Sequence, residues 1–255
     1  MPNRHIYNSK AVVNTYCATH ELLGPEKTII QLFNSRWKDW RLLDIGIGGG
    51  RTTEHFAPLV KEYVGFDYAE AMVKACQEAF RNLGEHVNIQ LSDARSMPEF
   101  ETGYFDFVLF SFNGLDAVSH EDRAKALKEM KRVSKKGGFL FFSSHNLQYI
   151  PNLYKIRYNN SPLYFTYQCF RYCMLLYHNG LPQKFKKMDY ATLRDGAEHF
   201  SLINYYVKPT VMVAQLKDLG FKNIRVFPSK GAGEIDLTVL DNIDQYGWLH
   251  YLCEI

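Results

Sequence analysis

The chain has 255 residues, 46% of them hydrophobic and 22% charged, with a formal net charge of +3. That length suits one large α/β core with an elaboration, because single cores grow to about 250 residues before splitting, and the composition excludes a disordered chain. Acids and bases nearly balance along the sequence, which excludes a dedicated nucleic-acid surface and favours small or neutral substrates.

The chain opens on a polar segment, Met1-Pro2-Asn3-Arg4-His5, without an apolar signal region. No apolar run reaches the roughly 18 to 20 residues needed to span a bilayer, so neither secretion nor a membrane span is expected. Residues 10 to 35 read as a leading helical layer, broken at Gly24-Pro25. Strand-like runs then recur at 41 to 46, 62 to 66, 87 to 91, 105 to 111 and 138 to 144. They alternate with helical stretches such as 69 to 83 and 121 to 134. Lys135-Lys136-Gly137-Gly138 reads as the basic, glycine-capped end of the later helix. This alternation predicts an α/β fold on a parallel sheet.

Residues 146 to 204 break the pattern with Tyr149, Tyr154, Tyr158, Tyr164, Phe165, Tyr167, Phe170, Tyr172 and Tyr177 among lysines and arginines. We read them as an inserted, aromatic cap, leaving residues 1–145 and 205–255 as the core. The α/β pattern resumes with a helix from Pro209 to Leu219 stopped by Gly220, a strand at 224 to 227 and a last strand at 248 to 253. Glu234 to Leu240 is expected to add a short strand. The run from Leu163 to Tyr177 is apolar enough to pair with a second subunit. Dimerisation or core packing is preferred to a lipid surface there, because only Arg171 interrupts the run and no basic face is evident. Cys17, Cys76, Cys169, Cys173 and Cys253 are scattered, odd in number and without zinc spacing, so no metal is expected and reduced thiols point to the cytoplasm.

The chemistry concentrates in Leu42-Leu43-Asp44-Ile45-Gly46-Ile47-Gly48-Gly49-Gly50-Arg51. An apolar strand ending in alternate glycines lets a ligand approach the main chain, and the helix that follows presents free N–H groups. A dinucleotide fingerprint would need glycine where Arg51 stands, and a phosphate-binding P-loop is absent. Asp67 closes a second apolar stretch about 20 residues on, as expected of a carboxylate that binds ribose hydroxyls.

Five motifs follow in order: Leu43 to Arg51, Val64 to Ala69, Leu91 to Arg95, Phe105 to Phe110 and Val133 to Phe141. In these the chain resembles the class I S-adenosylmethionine-dependent methyltransferases. The resemblance implies a Rossmann-like doubly wound sheet of seven mostly parallel strands with helices on both faces. It also implies S-adenosyl-L-methionine as cofactor and S-adenosyl-L-homocysteine as product, without a metal. Gly46, Gly48, Gly50 and Arg51 would frame the methionine part, with Asp44 on its ammonium. Asp67 would take the ribose, Asp93 and Ala94 the adenine edge, and Tyr68, Met72 and Arg95 the adenine walls. Ser111, Phe112 and Asn113 would lie beside the transferred methyl, and Tyr16 would close over the cofactor carboxylate.

His145, just after the fifth strand, is the candidate general base. Asn113, His145, Asn146 and Tyr206 are the candidate substrate contacts. A small-molecule or glycan-like acceptor is expected, with O-methylation favoured; an amine acceptor and a non-catalytic cofactor-binding protein are the alternatives.

Overall fold

The computed structural model describes residues 3–231 and 233–255. Nine strands form one sheet: β1 (Arg41–Ile45), β2 (Glu62–Asp67), β3 (Val87–Leu91), β4 (Phe105–Phe110), β5 (Ser134–Asn146), β6 (Tyr190–Leu193), β7 (Asn204–Val207), β8 (Lys222–Pro228) and β9 (Trp248–Glu254). The helices are α1 (Arg4–Tyr7), α2 (Lys10–Cys17), α3 (Gly24–Leu32), α4 (Arg51–Phe56), α5 (Glu70–Ala79), α6 (His120–Val133), α7 (Ile150–Leu153), α8 (Pro162–Asn179) and α9 (Pro209–Asp218).

The strands β3-β2-β1-β4-β5 pair in parallel, β9 runs antiparallel on β5, and β8 antiparallel on β9. These seven strands are the expected core sheet, six pointing one way and one the other. In the central strands β1, β2 and β4 both parities are largely apolar, so both faces of the sheet are buried there. Leu43, Val64, Val108 and Leu140 pack on one side with Met130 and Met212, whereas Leu42, Tyr63, Phe107 and Phe141 pack on the other with Ile29, Trp37 and Phe56. The leading helical layer is therefore half of the core. Trp37 is buried there and donates its indole N–H to the Ile30 carbonyl at 2.9 Å. Each such side chain stabilises the layer by about 1.5–3 kcal/mol.

Because β1 feeds β2 on one side and β4 takes the other, a crevice opens at their carboxyl ends, where ligands sit in open α/β sheets. The remaining two strands cover that end. β4 stops pairing with β5 at Phe110↔Phe142, but β5 runs on, and β7 takes the vacated edge at His145↔Tyr206 and Asn146↔Val207. β6 pairs antiparallel with β7, so residues 146–204 return to the sheet as a ribbon beside the crevice.

Two local expectations are corrected. Helix α6 ends at Val133, and Lys135 to Gly138 lie inside β5 as a bulge, since Phe105 faces Ser134 while Phe107 faces Phe139. Glu234 to Leu240 makes one isolated bridge, Val226↔Ile235, and then a 3-10 turn at Leu237–Asn242, because Asp236 caps that turn by accepting from the Thr238 N–H. Among the described residues no helix is long and apolar enough to cross a membrane.

Candidate active site

The glycine turn joins β1 to α4, with Gly46, Gly48 and Gly50 all at positive φ, from +54° to +90°. At Gly50, the N-cap of α4, a side chain would meet the Phe80 ring besides straining the backbone. Gly49 is needed for a different reason: a Cβ there would stand 2.5 Å from the Cys17 nitrogen, so the end of α2 rests on the turn itself. Asp67, at the end of β2, ties the turn in place. One of its oxygens accepts from the Gly48 N–H at 3.0 Å and the other from the Ala69 N–H at 2.8 Å.

Above the turn the crevice has two compartments that share Tyr16, Gly46, Gly48, Ser111 and Phe112. The first is lined by Tyr7, Asp67, Tyr68, Met72, Asp93, Ala94 and Arg95, and the second by Asp44, Gly49, Arg51, Thr52, Ala197 and Glu198. The Tyr16 ring forms the partition, edge-on to Phe112 with ring centres 6.5 Å apart and to Tyr7 at 5.9 Å. Phe112 and Asn113 both adopt positive φ, a strained turn that swings the Phe112 ring out of β4's path.

The charges sort by compartment. Burial pushes the Asp44 carboxyl up to about 7, against the lowering effect of bonds from Thr52 and Tyr63, whose hydroxyl donates at 2.6 Å. Asp67 is likewise raised by burial, with the main-chain donors at Ala69, Gly48 and Tyr68 acting in opposition. The Tyr68 hydroxyl is buried without a protein partner. At the rim, burial alone would raise Asp93, but the Arg95 guanidinium holds it below its ordinary value and also reaches Asp122 at 2.7 Å. The carboxylate foreseen for the adenine edge is thus already gripped by the arginine foreseen as an adenine wall.

Arg51 lines the second compartment, but its fork is committed to Glu26 at 2.5 and 2.8 Å, and it lies 5.2 Å from the centre of the Phe112 ring. Burial would raise the Glu26 carboxyl; Arg51 and the Ser111 hydroxyl hold it down. Arg51 therefore braces the wall with its charge neutralised inside the protein. Glu26 was not foreseen, since its only sequence signal is its place three residues after Leu23, whose N–H it accepts at 2.7 Å.

The candidate acceptor residues cluster behind Phe112. His145 donates from Nδ1 to Asp116 at 2.8 Å, its Nε2 lies 3.3 Å from the Asn113 amide nitrogen, and its ring stacks on Tyr206 at 4.6 Å. Asp116 is fully buried and also binds Arg123 and Ser144. The structure thus brings Asn113 and His145 together, yet neither is among the residues lining the two compartments. Asn146 and Tyr206 are corrections. The Asn146 amide donates to the Ile243 and Tyr246 carbonyls and accepts from the Gln148 N–H, and the Tyr206 hydroxyl donates to Asp195. Both anchor residues 146–204. Tyr7, Asp116 and Glu198 were missed, because their link to the site is a long-range contact that no spacing encodes.

A family profile described as a methyltransferase domain matches residues 43–142, the stretch from the glycine turn to β5. An uncharacterized methyltransferase of Bacillus subtilis, YcgJ, is 35% identical over 107 residues, which cover 41% of this chain and 40% of the relative. The ubiquinone/menaquinone biosynthesis C-methyltransferase UbiE of Pasteurella multocida is 36% identical over 124 residues, 47% of this chain and 45% of the relative. The chain thus matches less than half the length of either. The solved structure of an S-adenosylmethionine dependent methyltransferase from Mesorhizobium loti shares the fold, with a TM-score of 0.59 at 13% identity over 91% of this chain and 98% of that one. Residues 43–142 are therefore a methyltransferase domain, and the chain as a whole has the fold of solved S-adenosylmethionine-dependent methyltransferases.

Proposed function

We propose that the chain transfers a methyl group from S-adenosylmethionine to a hydroxyl of a small organic acceptor. One observation carries this reading. Asp44 and Asp67 are buried on either side of the glycine turn and line the crevice, bonded only to hydroxyl or main-chain donors; neither is in an ion pair among the described residues, and the one cation acting on Asp44, Arg51, is bound to Glu26. That donor set fits a ligand with an ammonium at one end and a diol in the middle. Asp44 with Thr52 would hold the ammonium, Asp67 the ribose, and Tyr68, Met72 and Ala94 the adenine. The unpartnered Tyr68 hydroxyl is available to a polar group of the ligand. The bound donor supplies a methyl on a sulfonium, whose leaving group is already good.

What remains for the protein is alignment, exclusion of water and removal of one proton. Tyr16 and Phe112 close the partition, and the acceptor enters between Phe112 and the turn at Ala197-Glu198. Asp116 fixes the His145 tautomer, which leaves Nε2 to take the acceptor's proton once the acceptor hydroxyl replaces the Asn113 amide beside it. For a phenol the same deprotonation also activates the adjacent ring carbon, the atom type named in the UbiE relative.

Incubation with methyl-labelled S-adenosylmethionine and matched phenols, alcohols and amines tests the reading. Label should enter hydroxyl acceptors, and His145→Ala should lower kcat about 100-fold or more with donor KM unchanged. Undiminished kcat in His145→Ala would remove the base. Failure of the protein to bind S-adenosylmethionine or S-adenosylhomocysteine would remove the reaction.

A further inference from the structure

Helix α8 packs Tyr172, Leu175 and Leu176 inward but also carries a second apolar stripe on its water-facing side. Its outward stripe is Leu163, Tyr167, Phe170 and Tyr177, with the half-buried Met174 on the same line, at alternating steps of four and three residues, and Leu163 and Tyr177 are each 81% exposed. Its inward face buries Gln168, Leu175 and Asn179. The Asn179 amide there is tied to the Leu175 and Arg194 carbonyls and accepts from the Arg194 N–H. Phe165 and Tyr158, in edge contact 5.9 Å apart, extend the exposed apolar surface past the start of the helix. Such a contiguous patch marks an interaction face.

The charge around the patch says what covers it. Residues 147–188 contain six Lys or Arg and no Asp or Glu. Lys155, Arg157, Lys184, Lys186 and Lys187 are all exposed, and none of the six is in an ion pair among the described residues. The next acid, Asp189, is taken by Lys208 at 3.1 Å. The basic surface that the apolar run lacks in its own sequence is therefore provided by the segments flanking it. Two copies meeting through this face would set like charges against each other, which disfavours a symmetric dimer. Exposed aromatic side chains on a helix whose flanking segments are rich in unpaired basic residues and free of acids match the surface of a bilayer that carries anionic phospholipid.

We propose that α8 and its basic flanks dock the protein on anionic membrane surfaces, with Leu163, Phe165, Phe170 and Tyr177 entering the headgroup layer. The test is flotation with vesicles of phosphatidylcholine alone and of phosphatidylcholine with phosphatidylglycerol, at low and high salt, beside light scattering of the free protein. Binding is expected to the anionic vesicles only and to weaken with salt. Phe170→Glu, and separately Lys186→Glu with Lys187→Glu, should each reduce it about tenfold or more. Each variant should keep wild-type affinity for S-adenosylhomocysteine, which shows that it folds. Equal binding to neutral vesicles, no binding to either, or binding that survives Phe170→Glu would overturn the proposal. A dimer that Phe170→Glu dissociates would give the face to a second copy and overturn it too.

Discussion

The crevice at the carboxyl ends of β1, β2 and β4 and residues 146–204, which read as an insert in the sequence, bury their polar groups differently. In the crevice the buried groups include two carboxylates, Asp44 and Asp67, which hold hydroxyl or main-chain donors and no ion pair among the described residues. In the insert they are amides, and Asn146 and Asn179 spend theirs on main-chain carbonyls within 3.2 Å. A buried amide satisfied by backbone is complete as it stands, whereas a buried carboxylate without a cation is costly unless a ligand or a proton completes it. The contrast separates the part of the chain built to receive a charged ligand from the part built to hold its own shape.

The largest effect expected within this contrast comes from Glu26, where the crevice wall does contain a matched pair. Glu26→Ala leaves the Arg51 charge buried alone and should destabilise the protein by about 3–5 kcal/mol in urea unfolding. A loss under about 1 kcal/mol would mean that Arg51 finds water, and that the wall is not braced as described. Asp44→Asn should instead leave stability nearly intact or raise it above pH 7. It should weaken S-adenosylhomocysteine binding by about 1.5–3 kcal/mol, the range of a charge-assisted hydrogen bond.

His250 offers a pH test of the same wall. It is fully buried without a hydrogen-bond partner, and burial pulls its imidazole down to about 4, with Glu26 opposing. At His250 the unfolded chain therefore binds more protons than the folded one between pH 4 and 6.5, so this residue's contribution to stability rises with pH across that window, whereas the raised Asp44 contributes the opposite slope. His250→Phe, stacking on Phe141 in its place, should gain about 2 kcal/mol of stability relative to the wild type as the pH falls from 6.5 to 5, read as the difference between the two unfolding curves. A slope unchanged in the variant would place the acid sensitivity elsewhere. The smallest effect belongs to the insert: Asn146→Ala should cost about 1–2 kcal/mol of stability and leave S-adenosylhomocysteine affinity alone. If that affinity fell with it, the two regions would not be separable.

The same division explains what the sequence made legible. Strands β1 to β5 and the acids at their ends are local patterns: an apolar run, then glycines or an aspartate, at spacings that survive folding. Asp44, Asp67, Met72 and Ala94, which those patterns single out, line the crevice. The pairing of Arg51 with Glu26 has no signal in the spacing, because Glu26 lies 25 residues away and meets it only once α3 packs behind the turn. Asn146 and Tyr206 looked like substrate contacts because they are polar and near the strand ends. Only the ribbon β6–β7 and the loop before β9 show that their bonds are already made. In the insert, aromatic composition was visible, but the outward direction of the α8 stripe was not, since periodicity alone does not say which face the core takes.

The most direct test of the account is the affinity for S-adenosylhomocysteine measured by calorimetry between pH 5.5 and 7.5, on the wild-type protein and on Asp44→Asn. Asp44 with a free-state value of about 7 is mostly protonated at the lower pH, so the wild type should bind about twentyfold more weakly there, and the variant should bind weakly at both. Wild-type affinity that is flat across this range, or a variant that binds as tightly as wild type, would contradict the assignment of the crevice to a ligand whose ammonium completes Asp44.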